Sequence, residues 1–455
     1  MKRVPEYSTA AVRALETLSA DADPEVRWRA VYAFTRFADA RARKVVSDAQ
    51  RDADARVRLF AARALAKLGE QADAALLLDA DPYVRAEAVA SYGAAKGGQS
   101  LPAALSADPS AHVRAAVADA IAATGRPDLA SGLERMADAD GPLARGRALL
   151  ALAALRGDAE ASRLERARQD ADWWIRSKAY EASAGLTGGD AVLRAGLKDP
   201  DARVASAALE ALASTKSTLV EDALAEVLRD PRAPLELLGA AVDAAGTRKS
   251  AALLEPLLEA GRRLTAAVPA EIRGGLRAAL EEVGAANPDK KERAAAGLRS
   301  LPALVDQPKT FPRLSASPTL VLETLKGKVE LFLDAAAAPN HAAAIAAMAR
   351  SGLYDGTIWH RVVTAFVVQG GDPRGSGWGD AGYRLRDEVN RLPFLRGTLG
   401  MPKAGPDTGG CQLFVSLVPT PHLDGRYTAF GRVTAGMDVL DALEPGDRIL
   451  KAYLR

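Results

Sequence analysis

Side chains capable of covalent or metal chemistry are few in this sequence, and poorly spaced for it. The four histidines, His112, His341, His360 and His422, form no HExxH and no paired ligand spacing, so a metal centre is not expected. The single cysteine, Cys411, follows Gly410 without a histidine nearby in sequence; it reads as a small packed residue and excludes an intramolecular disulfide. The glycines of QGGDPRGSGWGDAG, residues 369–382, do not follow a strand and open a helix as a dinucleotide-binding turn would, and read as loop turns. Three other features stand out: YDGTIWHRVVTAFVVQGGD at 354–372, GTLGMPKAGPDTGGCQLFVSL at 397–417 and HLDGRYTAFGRV at 422–433.

Taken in order and at this spacing, the three segments closely resemble cyclophilins, the peptidyl-prolyl cis/trans isomerases, over about Thr319 to the C-terminus. The resemblance implies a mainly-β barrel of eight antiparallel strands closed by two helices, acting on Xaa-Pro bonds of client proteins without cofactor or metal. It implies Arg361, Phe366 and Gln369 as the catalytic set, with Arg361 donating to the prolyl nitrogen and Gln369 orienting it and bonding the substrate backbone. Phe366, Val367, Phe414 and Leu423 would form the pocket for the proline ring, and Pro402, Lys403, Gln412, His422 and Tyr427 would line the groove. A rival reading is a catalytically weak scaffold or chaperone that only docks Pro-containing segments; retention of Arg361, Phe366, Gln369 and Phe414 favours the enzyme.

Four positions depart from the usual cyclophilin pattern. Val367 stands where Met is usual, Pro402-Lys403 where Ala-Asn is, His422 where Trp or Phe is, and Tyr427 where eukaryotic members carry His. Tyr at the last position is familiar in bacterial-type sequences. Activity is expected to survive, with weak binding of cyclosporin because the aromatic that contacts it is absent. Inhibition titrations check this, and nanomolar potency would contradict it.

These residues need a scaffold, and the chain supplies two architectures. From Arg313 onward lie 11 of the 23 aromatics and 18 of the 38 glycines; the part before it is rich in Ala, Leu and Arg. The C-terminal part opens with Leu320–Leu325 and Val329–Leu333, a predicted β-hairpin, then a predicted helix from about Asn340 to Arg350. The N-terminal part repeats Asp, two variable residues, an aliphatic residue and often Arg, as in Asp54-Ala55-Arg56-Val57-Arg58. The aliphatic anchors Val26, Val57, Val84, Val113, Leu143, Ile175, Val204 and Leu235 recur with a period near 30, the mark of stacked helical units. In the second unit Val57, Ala61, Leu65 and Leu68 form the inward stripe and Gly69 ends the helix. The pattern resembles short HEAT repeats over about residues 8–300, which implies a curved all-α solenoid that holds a protein partner. The expected organisation is multidomain: a HEAT-like α-solenoid at 1–305, a Pro-rich linker at 306–318 and the isomerase domain at 319–455. Trp173-Trp174 is read as repeat packing, with a partner-binding hot spot as the alternative.

With 60 Lys plus Arg against 58 Asp plus Glu, the formal charge is +2, and both parts are separately near neutral. No nucleic-acid partner is expected on that balance. No apolar run is long enough to span a bilayer. The opening MKRVPEYSTAAVRALETL has no apolar signal-peptide core, so the expected location is cytoplasmic, or exported if a leader precedes it.

Overall fold

Five of the repeat helices begin where an aspartate side chain takes up free N–H groups at the helix start. The computed structural model describes residues 7–37, 39–95, 100–265, 268–301 and 308–455. In it Asp23, Asp54, Asp81, Asp172 and Asp201 accept from backbone N–H groups two residues on, the N-cap bond that short polar side chains favour. Helix Ala55–Leu68 buries Val57, Ala61 and Leu65, leaves Leu68 half-buried, and stops at Gly69, whose φ of 71° is the left-handed conformation glycine adopts freely. The anchors from Val57 to Val204 are buried, whereas Val26 and Leu235 are half-buried.

By contacts the chain divides into two units, Met1–Gly157 with Val363–Phe366, and Asp158–Val362 with Val367–Arg455. Within the first, an arginine ladder links repeats: Arg27, Arg58, Arg85 and Arg114 each grip an aspartate of the next repeat with two nitrogens (Asp52, Asp79, Asp108 and Asp140). The same guanidinium also donates to two carbonyls of its own preceding turn, as Arg85 does to Asp79 and Ala80 at 2.8 and 3.3 Å. The ladder also explains why the copies of the repeat motif at Asp108 and Asp140 lack an aspartate cap. Asp108 and Asp140 serve the arginine of the preceding repeat, and the next helices start after Ser110 and Gly141, neither of which makes a side-chain cap bond. Arg85→Ala would leave the buried Asp108 carboxylate unpaired, a loss of about 3 kcal/mol. A lower urea midpoint for array unfolding is the expected result, with Arg85→Lys recovering only part; an unchanged midpoint would show the ladder to be idle.

The second unit continues the helical pattern. Helices Trp173–Ser183, Ala202–Ser214, Leu235–Arg248 and Ala270–Ala286 alternate with Gly189–Gly196, Leu219–Arg229 and Leu254–Arg263 around one apolar core that includes Leu209, Leu224, Val242, Leu257 and Leu280. Trp173 and Trp174 are both half-buried, each under a cation: Arg203 over Trp173 at 4.1 Å and Lys178 over Trp174 at 4.6 Å.

From Thr319 the unit changes to strands: β1 Thr319–Thr324, β2 Gly327–Leu333, β3 Arg361–Val362, β4 Val367–Gly370, β5 Thr398–Gly400, β6 Leu413–Ser416, β7 Ala429–Ala435 and β8 Ile449–Leu454. They form one eight-stranded sheet in the order β3-β4-β6-β5-β7-β2-β1-β8, antiparallel throughout. The segments leading into the two edge strands meet in a seam, where Trp359 N–H donates to Asp447 O, Gly446 N–H to Trp359 O and Ile449 N–H to Thr357 O. The predicted hairpin is β1–β2, and the predicted helix is Pro339–Arg350; a second helix, Met437–Asp441, has only five residues. Glu388 fastens the start of the longer helix by accepting from Asn340 N–H at 3.0 Å and His341 N–H at 2.8 Å.

The linker expected at 306–318 falls partly outside the described residues. Its described part is tied to the strand region, since Lys309 N–H donates to Arg384 O at 2.8 Å and Phe311 packs edge-on against Tyr383. No described helix is long and apolar enough to cross a membrane.

Candidate active site

Register across three short strands creates the site. Arg361 on β3 pairs with Gln369 on β4, and Gln369 pairs with Phe414 on β6. Residues directly opposite on antiparallel strands share a face, so a guanidinium, an amide and an aromatic ring stand in one row. Val362, Val368 and Val415 alternate to the opposite face, where all three are buried. Val367, two residues before Gln369, lies on the row's face and is itself buried. Phe366 ends the loop Val363–Phe366 and donates its N–H to Val363 O; Ala365 beside it has a φ of 52°, a conformation that costs a non-glycine residue energy.

The aromatic end of the row is built by packing. Phe414 stacks on the fully buried Phe394 at 5.6 Å and meets Tyr427 edge-on at 6.1 Å. Gly400, opposite Phe414 on β5, leaves space for both rings: a Cβ there would overlap Phe414 and stand 2.6 Å from Phe394 Cε1. Lys403 lies over the Tyr427 ring at 5.4 Å and is ion-paired with Asp387. Leu423 is buried and tied to Tyr427 by a turn hydrogen bond; His422 and Pro402 are half-buried in neighbouring segments.

The polar end is a relay of amides. Gln369 Nε2 donates to Gln412 Oε1 at 2.8 Å, and Gln412 Nε2 donates to the carbonyls of Gly377 and Gly379 at 2.9 and 3.2 Å. Those glycines belong to a loop gathered round Asp372, a fully buried carboxylate that accepts from the N–H groups of Arg374, Ser376, Gly377 and Gly379. Phe394, Gly400 and Asp372 were not singled out from sequence. The GGD of residues 370–372 hinted at an anchored turn, but nothing short of strand register marks Gly400 as ring space.

Burial lowers the Arg361 pKa, opposed by the nearby Tyr427, and an arginine so shifted stays a cation at neutral pH. Burial also lowers the His360 pKa, keeping the imidazole neutral, and pushes the Cys411 thiol up to about 12, where it is neither thiolate nor nucleophile. A charged donor, an amide pair and a ring in one row can bind and polarise a peptide.

A sheet closed by a seam and carrying such a row defines a β-barrel with a candidate peptide-binding face. The family described as cyclophilin type peptidyl-prolyl cis-trans isomerase/CLD matches residues 319–451, and HEAT repeats match 12–93 and 98–184. The peptidyl-prolyl cis-trans isomerase of Synechococcus elongatus is 44% identical over 136 residues, 30% of this chain and 94% of its own length. That of Helicobacter pylori is 39% identical over 154 residues, 32% of this chain and 94% of its own. Mouse peptidyl-prolyl cis-trans isomerase-like 1 is 42% identical over 154 residues, 30% of this chain and 92% of its own. The chain belongs to the cyclophilin-type peptidyl-prolyl cis-trans isomerases, with a HEAT-repeat array preceding the isomerase segment.

Proposed function

We propose that this isomerase accelerates rotation about Xaa-Pro bonds by holding the proline ring and offering Arg361 to the prolyl nitrogen. The uncatalysed barrier is about 18–20 kcal/mol because amide resonance must be broken. In the twisted transition state the prolyl nitrogen turns pyramidal and gains a lone pair, so a fixed guanidinium binds that state better than either planar ground state. Gln369 keeps the substrate backbone in register with Arg361, while Phe366, Val367, Phe414 and Leu423 hold the ring as the preceding carbonyl swings. Gln412, Tyr427, His422, Pro402 and Lys403 border the groove, and the positive charge of Lys403 is moderated by Asp387.

The observation that carries this reading is the row Arg361–Gln369–Phe414 on one face of β3, β4 and β6. Pro-containing protein segments are the substrates, and the helical array recruits them as a protein-binding surface; its near-neutral charge gives it no general hold on nucleic acid. NMR exchange on an Xaa-Pro peptide, wild type against Arg361→Ala, tests the mechanism. A pull-down with the full chain, compared with array-surface variants, tests the recruitment.

A further inference from the structure

We propose that the helical array is a positioning element of the isomerase, acting through the loop Asp372–Arg384 on Gln412 and Gln369. Four residues of array helices fasten this loop. Glu236, a buried acid on helix Leu235–Arg248, accepts from Ser376 Oγ at 3.1 Å and faces Arg374 Nη1 at 3.4 Å. Gly239, one turn on, is covered by the Trp378 indole so closely that a Cβ there would stand 2.9 Å from the ring. Glu271 on helix Ala270–Ala286 takes both terminal nitrogens of Arg384 at 3.1 and 2.8 Å, and Arg384 is buried. Arg203 Nη1 reaches the Gly375 carbonyl at 3.5 Å.

The loop's opposite side serves the active site. Asp372 fixes its backbone from within, and the carbonyls of Gly377 and Gly379, either side of Trp378, are the two acceptors that orient the Gln412 amide. Gln412 then presents its oxygen to Gln369 at 2.8 Å. A shift of Trp378 on the array therefore moves the acceptors that aim the catalytic amide. Trp378, Glu236 and Gly239 act through the loop and are positioning residues, and their role rests on the part assigned to Gln369 in the proposed mechanism.

The test uses the full chain with Gly239→Val, which has no room beside Trp378, and Trp378→Ala, which alters only the loop. Each is expected to lower kcat about fivefold with KM changed less than about twofold, and Trp378→Phe to recover most of the loss. In a Gln412→Ala background the same changes should cost less than about twofold, because the route they act through is gone. The side-chain amide signal of Gln412 should shift in both single variants. Wild-type kcat in folded Gly239→Val and Trp378→Ala, or a fivefold loss that persists without Gln412, overturns the coupling. Should Gly239→Val fail to fold, Trp378→Ala alone decides. Arg361→Ala assayed alongside separates the two claims: full activity there overturns the mechanism itself, whereas inactive Arg361→Ala with unimpaired Trp378→Ala overturns only the coupling.

Discussion

Gly400→Val is expected to abolish most isomerase activity while leaving the helical array folded. The β5–β6 register sets Gly400 opposite Phe414, and the space a side chain would take is already filled by the Phe414 ring and bounded by Phe394. Neither ring can retreat cheaply: Phe394 is fully buried, and Phe414 is held between it and Tyr427. Forcing methyl groups into such packing costs about 1–3 kcal/mol, and the softest response is to swing Phe414 out of the pocket. A displacement of about 1 Å at a positioned group can cost about a hundredfold in rate, so kcat/KM should fall by that order, with Gly400→Ala intermediate. Exchange kinetics with circular dichroism as a folding control check it; wild-type kcat/KM in Gly400→Val would mean that Phe414 does not shape the proline pocket.

Arg361→Ala should be the other large loss. A hydrogen bond from a charged donor is worth about 1.5–3 kcal/mol, and at about 1.4 kcal/mol per power of ten that is one to two decades. A preorganised donor aimed at a developing lone pair reaches about three decades. The loss should appear in kcat, because the planar ground states have no lone pair to accept the bond. Arg361→Lys should recover little, since an ammonium is a flexible point charge without the planar fork.

Much of the architecture was legible beforehand because it follows from local rules. Anchors such as Val57, Val84 and Val113 recur with the period of one helical repeat, and each is buried. The hairpin around Lys326 and the helix ending at Arg350 follow from alternation and from Pro339 and Gly352. The arginine ladder was not legible, because each arginine finds its aspartate 21 to 26 residues later and across a turn. Within the candidate site the family motifs marked Arg361, Gln369 and Phe414, but the role of Gly400 arises from the β5–β6 register and that of Phe394 from packing against it, which no local pattern reports. The loop after Asp372 read as a run of turn glycines. Its fastening to Glu236, Gly239 and Glu271 joins residues more than a hundred positions apart, which no local pattern reports.

The most direct measurement is magnetisation exchange between the cis and trans proline signals of an Xaa-Pro tetrapeptide in excess, with full-length wild type and Arg361→Ala in parallel. The account predicts exchange far faster than the uncatalysed tens to hundreds of seconds with wild type, a rate lower by at least about tenfold with Arg361→Ala, and the same cis/trans ratio throughout. Equal exchange rates for the two proteins would contradict it, whether both are fast or both stay at the uncatalysed value.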